Sequence, residues 1–100
     1  MTDYPTMNNT MTRAIITVVG KDNVGIIATV CTYLAKHQIN ILNITQTIVD
    51  GYFNMIMIVD LTQTTATFDA ISTDLEEIGK NIGVQVKIQL EEIFNKMHRI

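Results

Sequence analysis

Hydrophobic and polar positions along the chain fall into short blocks whose period changes from block to block. Arg13–Val19 (Arg-Ala-Ile-Ile-Thr-Val-Val) is apolar and β-branched, the pattern of a buried strand. A helix is predicted from about Asn23 to His37. Its polar stripe is narrow, Gly25, Thr29, Thr32 and Lys36, and apolar residues fill most of the rest. Asp22 precedes it as the expected N-cap, because a carboxylate accepts from the free amides of a first turn. Ile39–Val49 and Tyr52–Leu61 read as two further strands. Asp50-Gly51 between them is the signature of a type I′ hairpin, whose central residues both need positive φ. A polar loop, Thr62–Ala66, leads to a second helix from about Thr67 to Ile82, with Phe68, Ile71, Leu75, Ile78 and Ile82 along one stripe. Gly83 is placed to end it in the left-handed conformation. Val84, Val86, Ile88 and Leu90 alternate with Gln85, Lys87 and Gln89, as in a half-exposed edge strand. Glu91–Ile100 puts Ile93, Phe94, Met97 and Ile100 on one face of a short terminal helix, its glutamates at the start and His98 and Arg99 at the end suiting the helix dipole.

The order is β-α-β-β-α-β. Right-handed crossovers convert it into an α+β, ferredoxin-like fold, a four-stranded antiparallel sheet with both main helices on one face and the short helix at the C-terminus. Residues 13–100 form the domain. Residues 1–12 are polar, aperiodic and hold the single proline, Pro5, so a disordered tail is expected, and Met11 offers a second possible start.

Such a sheet starts with one face bare. The apolar arc of the first helix is about twice the ~100° that a helix lying on a sheet needs. In the third strand Phe53, Met55, Met57 and Val59 share one face while Ile56 and Ile58 occupy the other. That second face requires a cover, either the terminal helix through Phe94 and Met97 or a second chain. A homodimer or larger homo-oligomer is expected.

Composition sharpens this. Of 100 residues 47% are hydrophobic and 17% charged, against ~25% charged in ordinary domains, so apolar surface is left for a partner. The net charge of −3 and a pI near 5.1 argue against nucleic acid or an anionic membrane. The lone cysteine, Cys31, excludes an intrachain disulfide and a cysteine-cluster metal site. No run approaches the ~18 apolar residues of a membrane span, and the N-terminal residues lack the pattern of a signal peptide, so the expected location is cytoplasmic.

No catalytic constellation emerges. Gly20-Lys-Asp-Asn-Val-Gly25 has P-loop glycine spacing, but Ile26 and Ile27 stand where lysine and a hydroxyl residue belong. Ser72, the single serine, has no histidine near it in sequence, Cys31 lies on the apolar arc, and His37 and His98 are far apart. An acylphosphatase-like enzyme needs an arginine in this loop, where Lys21 is the one basic residue. An RNA-recognition domain needs exposed aromatics on one strand face, whereas Tyr52 and Phe53 point to opposite faces. No cofactor or metal is expected.

The strand–loop–helix junction does carry a chemistry. A helix N-terminus presents free amides and partial positive charge suited to a carboxylate. Gly25 lets a ligand approach the backbone, and Asp22 can accept from an ammonium group. Asn40 and Asn43 are polar groups in an apolar strand, able to complete such a site from the same chain or a neighbouring one, or to face solvent or pair with the backbone.

Ala14-Ile-Ile-Thr-Val-Val-Gly-Lys-Asp-Asn-Val-Gly25, then Ile39-Asn-Ile-Leu-Asn-Ile-Thr-Gln46 and Asp50-Gly-Tyr-Phe-Asn-Met55, resembles an ACT domain. It resembles more closely the small stand-alone ACT proteins of the UPF0237 family, themselves similar to single halves of the tandem-ACT glycine cleavage system repressor. The resemblance implies the ferredoxin-like fold, association of two or more units, and an amino acid or similar small molecule bound between them. The family's ligand loop falls on Gly20, Lys21, Asp22, Asn23, Val24 and Gly25, and the asparagine that reaches over from a neighbouring unit falls on Asn40. Many ACT loops carry proline where this chain has Val24, and most regulate an attached enzyme. The expected function is a non-enzymatic regulatory module binding a small amino acid. The alternative is a ligand-free interaction module that docks a separate enzyme or regulator through apolar helix surface around Ile26, Val30 and Tyr33.

Overall fold

Alternation of side chains along each strand sorts the sheet into two faces with different fates. In the computed structural model, which describes residues 12–21 and 23–92, the elements are β1 (Arg13–Lys21), α1 (Ile26–Lys36), β2 (Asn40–Val49), β3 (Tyr52–Asp60), α2 (Phe68–Ile82) and β4 (Val84–Leu90). The strands form one antiparallel sheet in the order β2-β3-β1-β4, the ferredoxin-like arrangement. On the inner face Ala14, Ile16 and Val18 of β1 lie beside Val59, Met57 and Met55 of β3. Ile88 and Val86 of β4 flank Ile16 and Val18 on the other side. Ile26, Val30 and Leu34 of α1, one turn apart, and Ile71 and Leu75 of α2 close over these rows in one core cluster.

Local signals explain most boundaries. Asp50 and Gly51 adopt φ of 55° and 81°, the paired positive angles of the hairpin expected there. The Thr67 hydroxyl accepts from the Ala70 amide at 3.2 Å, and Gly83 ends α2 left-handed with its amide on the Gly79 carbonyl. The start of α1 differs from expectation. The helix begins at Ile26 rather than near Asn23, and its N-cap is Gly25, at φ 94° and without a side-chain cap. β1 keeps pairing with β3 as far as Lys21 opposite Tyr52, so the chain must reverse within four residues, and a left-handed residue makes that turn. Asp22, expected as the cap, lies outside the described residues, as do the tail over 1–11 and residues 93–100 of the terminal helix; Glu91 and Glu92 are helical.

β2 contains a bulge between Ile41 and Asn43. Ile41 faces inward beside Val59, and without one extra residue Ile44 and Ile48 would fall on the outer face. With Leu42 inserted, Ile44 pairs Met57 and Ile48 pairs Phe53, on the helix side of the sheet. Neither helix reaches them fully: Ile44 is 42% and Ile48 58% exposed. The apolar excess therefore lies on edge strand β2 rather than on α1 around Ile26 and Val30, which are core residues.

α1 and α2 are tied by the Tyr33 hydroxyl, which donates to Asp74 Oδ2 at 2.7 Å, while the Tyr33 ring rests against His37 at a centroid distance of 4.4 Å. Gly79 sets how closely α2 approaches β4. A Cβ there would lie 2.6 Å from the Val84 carbonyl oxygen and 3.0 Å from Val86 Cγ2.

Two stability outcomes follow. Gly79→Ala improves helix propensity yet is expected to destabilise by about 1–3 kcal/mol, because the clash is with backbone; a urea midpoint that rises instead would show that the helix–strand contact is loose. Burial, with the Asp74 hydrogen bond and charge adding to it, raises the Tyr33 phenol above its ordinary 10.0. The folded chain then holds a proton that the unfolded chain releases, so this contribution is complete below about pH 10 and is lost as pH rises further. Between about pH 9 and pH 11 the urea midpoint is expected to fall more steeply for wild type than for Tyr33→Phe; parallel curves would contradict it.

Candidate functional site

The late start of α1 decides which amides are free. The first intrahelical bond runs from the Thr29 amide to the Gly25 carbonyl at 2.9 Å, so the N–H groups of Ile26, Ile27 and Ala28 have no partner within the helix. The first turn carries no acidic side chain to offset the positive end of the helix dipole. These amides border a cleft of about 230 Å³ lined by Asn23, Gly25, Ile26, Ile27 and Ala28 on one side and by Gln46 and Ile48 of β2 and Phe53 of β3 on the other. Nothing lies within 4 Å of where a Gly25 Cβ would stand, so the backbone is open to approach at that point.

Of the residues the sequence put forward, Asn23 and Gly25 line this cleft. Asn23 also acts as a strut: its side-chain amide donates to the Ile82 carbonyl at 3.1 Å and the Lys21 carbonyl at 3.3 Å, joining the loop to the end of α2. Gly20 serves packing, since a Cβ there would lie 2.8 Å from Val84 Cγ1. Lys21, opposite Tyr52, belongs to the outer face, and Val24 is fully exposed. Asn40 is not brought near. It pairs with Asp60 at the far end of β2, roughly 25 Å along the strand from Ile48 at ~3.3 Å per residue, so within one chain it cannot complete the cleft. Asn43 sits beside Ile58 on the outer face. The functional lining that sequence reasoning missed is Gln46, and its signal was present, as the single amide in the inward row of Ile41, Ile44 and Ile48 once the bulge is counted.

Larger clefts exist but lack this combination. One of about 610 Å³ at the Asn40 end is lined by Cys31, Ala35, Gln38, Ile39, Ile41 and Gln63 as well as Asn40; burial pushes the Cys31 thiol up, so it stays protonated and is a poor nucleophile. Another, of about 440 Å³, runs between α2 and β4 around Glu76, Lys80 and Lys87. Neither opens onto free helix amides. Among the described residues no three His, Cys, Asp or Glu side chains are grouped to hold a metal ion, and no helix is long and apolar enough to cross a membrane.

Comparison with known proteins identifies the family of this fold. Residues 12–89 match the model of the ACT domain. A UPF0237 protein of Bifidobacterium longum is 60% identical over 90 residues, which is 90% of this chain and 100% of that protein. An ACT domain protein from Streptococcus pneumoniae superposes with a TM-score of 0.74 at 40% identity, over 86% of this chain and 96% of its own. A putative glycine cleavage system transcriptional repressor shares the fold, with a TM-score of 0.71 at 18% identity over 82% of this chain and 47% of the repressor. A family model spanning this much of the sequence, with relatives this similar over their full length, places the chain in the ACT-domain family and, within it, in the UPF0237 group.

Proposed function

We propose that the protein is a non-enzymatic regulatory module that acts as a homodimer and binds a small amino acid at the N-terminus of α1. ACT domains are regulatory small-ligand-binding domains, and the observation that carries the reading for this chain is the open cleft at the free amides of Ile26, Ile27 and Ala28. Its ~230 Å³ is below the ~300–1,000 Å³ of sites for drug-sized ligands, which favours a guest of amino-acid size. The three amides hold the carboxylate, one turn later along the chain than the loop alone suggested. Asp22 and the Gln46 side-chain oxygen accept from the ammonium group.

The second subunit enters through β2. Asn40–Val49 is a ten-residue edge strand without a charge or a proline, and Leu42, Ile44 and Ile48 are exposed on it. An edge of that kind favours pairing with another chain. Antiparallel pairing about a two-fold axis sets Asn40 opposite the partner's Val49, at the end of the strand where the partner's cleft lies. Pairing removes the distance along the strand, but Asn40 lies on the outer face with Asp60 and the partner's cleft opens on the helix face, so Asn40 borders the partner's site without entering it. Binding then shifts dimer packing to the extent that affinity differs between the two packings. The rival reading, a ligand-free module docking a separate enzyme or regulator, draws on Val24, fully exposed beside the cleft.

Isothermal titration with the common amino acids is expected to give heat with one or a few small ones for wild type, none for Asp22→Ala, and nearly wild-type heat for Asn40→Ala. Silence from wild type with every amino acid would leave the docking reading in place. For the interface, Ile44→Lys with Ile48→Lys is expected to turn a dimeric native mass spectrum into a monomeric one, and an unchanged dimer would move the interface away from β2.

A further inference from the structure

The two clefts beside β2 are the two ends of one seam between α1 and the sheet edge. The amide cleft at the start of α1 takes in Ile27, Gln46 and Ile48. The cleft of about 610 Å³ at the other end takes in Cys31, Ala35, Ile39 and Ile41. Ile27, Cys31 and Ala35 recur every four residues, so one flank of α1 borders both ends. The far cleft has an apolar floor and a rim of three carboxamides, Gln38, Asn40 and Gln63, and no charged residue among the described ones lines it. Nothing in that set selects an ion, and the floor suits an uncharged, apolar group. The near end of the seam carries one. Ile48 stands on the helix side of the sheet and is left largely bare by its own chain. About 20 Å of β2 separates it from Ile41, at ~3.3 Å per residue, so it does not reach the far cleft of that chain.

A second copy removes that separation, because a two-fold axis reverses the seam. Antiparallel pairing about Thr45 sets Ile44 opposite the partner's Gln46. With Leu42 counted as the bulged residue, as it is against β3, Ile41 then falls opposite the partner's Ile48. Residues directly opposite each other share a face of the sheet, and for this pair it is the helix side, where Cys31 and Ala35 stand above Ile41. We propose that Ile48 of each copy seats in the far cleft of the other, between Ile41 and Cys31, with the partner strand's backbone closing the open side. The proposal rests on the β2 dimer put forward above and adds how that dimer reads its ligand. Ile48 also walls the amide cleft of its own chain, so a guest held at α1 and the neighbouring subunit act on one side chain. Two-fold symmetry gives each dimer two such seats. Each seat encloses Cys31, the single cysteine of the chain.

That cysteine serves as the probe. Ile48→Cys, oxidised with copper phenanthroline, is expected to run as a covalent dimer on a non-reducing gel. The band is expected to vanish when Cys31→Ala is added, since a disulfide needs Cα atoms within about 7 Å and this one joins position 48 to Cys31 of the other copy. Without any added cysteine, alkylation of Cys31 by iodoacetamide is expected to be several-fold faster in Ile48→Ala than in wild type, at a protein concentration where native mass spectra show both as dimers. A native dimer that gives no Cys31-dependent cross-link, or a Cys31 alkylation rate unchanged by Ile48→Ala, would overturn the seat and leave the β2 dimer standing. A monomeric wild type would remove both.

Discussion

Two helices of 11 and 15 residues cannot cover both faces of a four-stranded sheet, and the way this chain distributes that shortfall governs the rest of the molecule. The helices close over the inward rows of β3, β1 and β4, where Met57, Ile16 and Ile88 sit side by side with almost no exposure. β2 extends past the helix layer, so side chains that face inward on it, Ile44 and Ile48, meet water instead of α1. Hydrophobic surface left this way is unfavourable in roughly direct proportion to its area. It marks the edge at which an additional chain has most to gain.

The same shortfall makes the cleft. α1 starts on a left-handed glycine with no side-chain cap, and β2 does not close against its first turn, so three backbone donors border an opening with Gln46 on its far side. A carboxylate there meets hydrogen-bond donors already fixed by the helix, which avoids the cost of ordering a loop around the guest. Close backbone approach supplies that rigidity. Gly20 against Val84, and Gly79 against the Val84 carbonyl, bring β1, β4 and α2 nearer than any side chain would allow, and Asn23 then ties the loop to the Ile82 carbonyl at the end of α2.

Legibility in the sequence followed the range of the interaction. The Asp50-Gly51 hairpin and the Gly83 stop were readable because each is settled within a few residues by backbone conformation. The start of α1 was misplaced because Asp22 is a good cap locally, while the actual start depends on how far β1 continues to pair with Tyr52 and Phe53. The bulge at Leu42 leaves a phase break between Ile41 and Ile44 that the reading of one continuous strand passed over, and its meaning required knowing which face of β2 turns toward the helices. Asn40 and Gly25 share one loop-and-strand pattern in the sequence, yet the register sets them at opposite ends of the sheet.

The sequence alone therefore determined the element order, the two turns of positive φ, the apolar rows and the family, because period, glycine placement and capping act over three to five residues and leave a one-dimensional trace. Tertiary structure alone decided which amides are free, which apolar residues are core and which are bare, and that Asn40 cannot serve the cleft of its own chain. Those outcomes depend on strand register and on how far each helix extends over the sheet, contacts between residues as far apart in sequence as Ala14 and Leu90, and no local pattern encodes them.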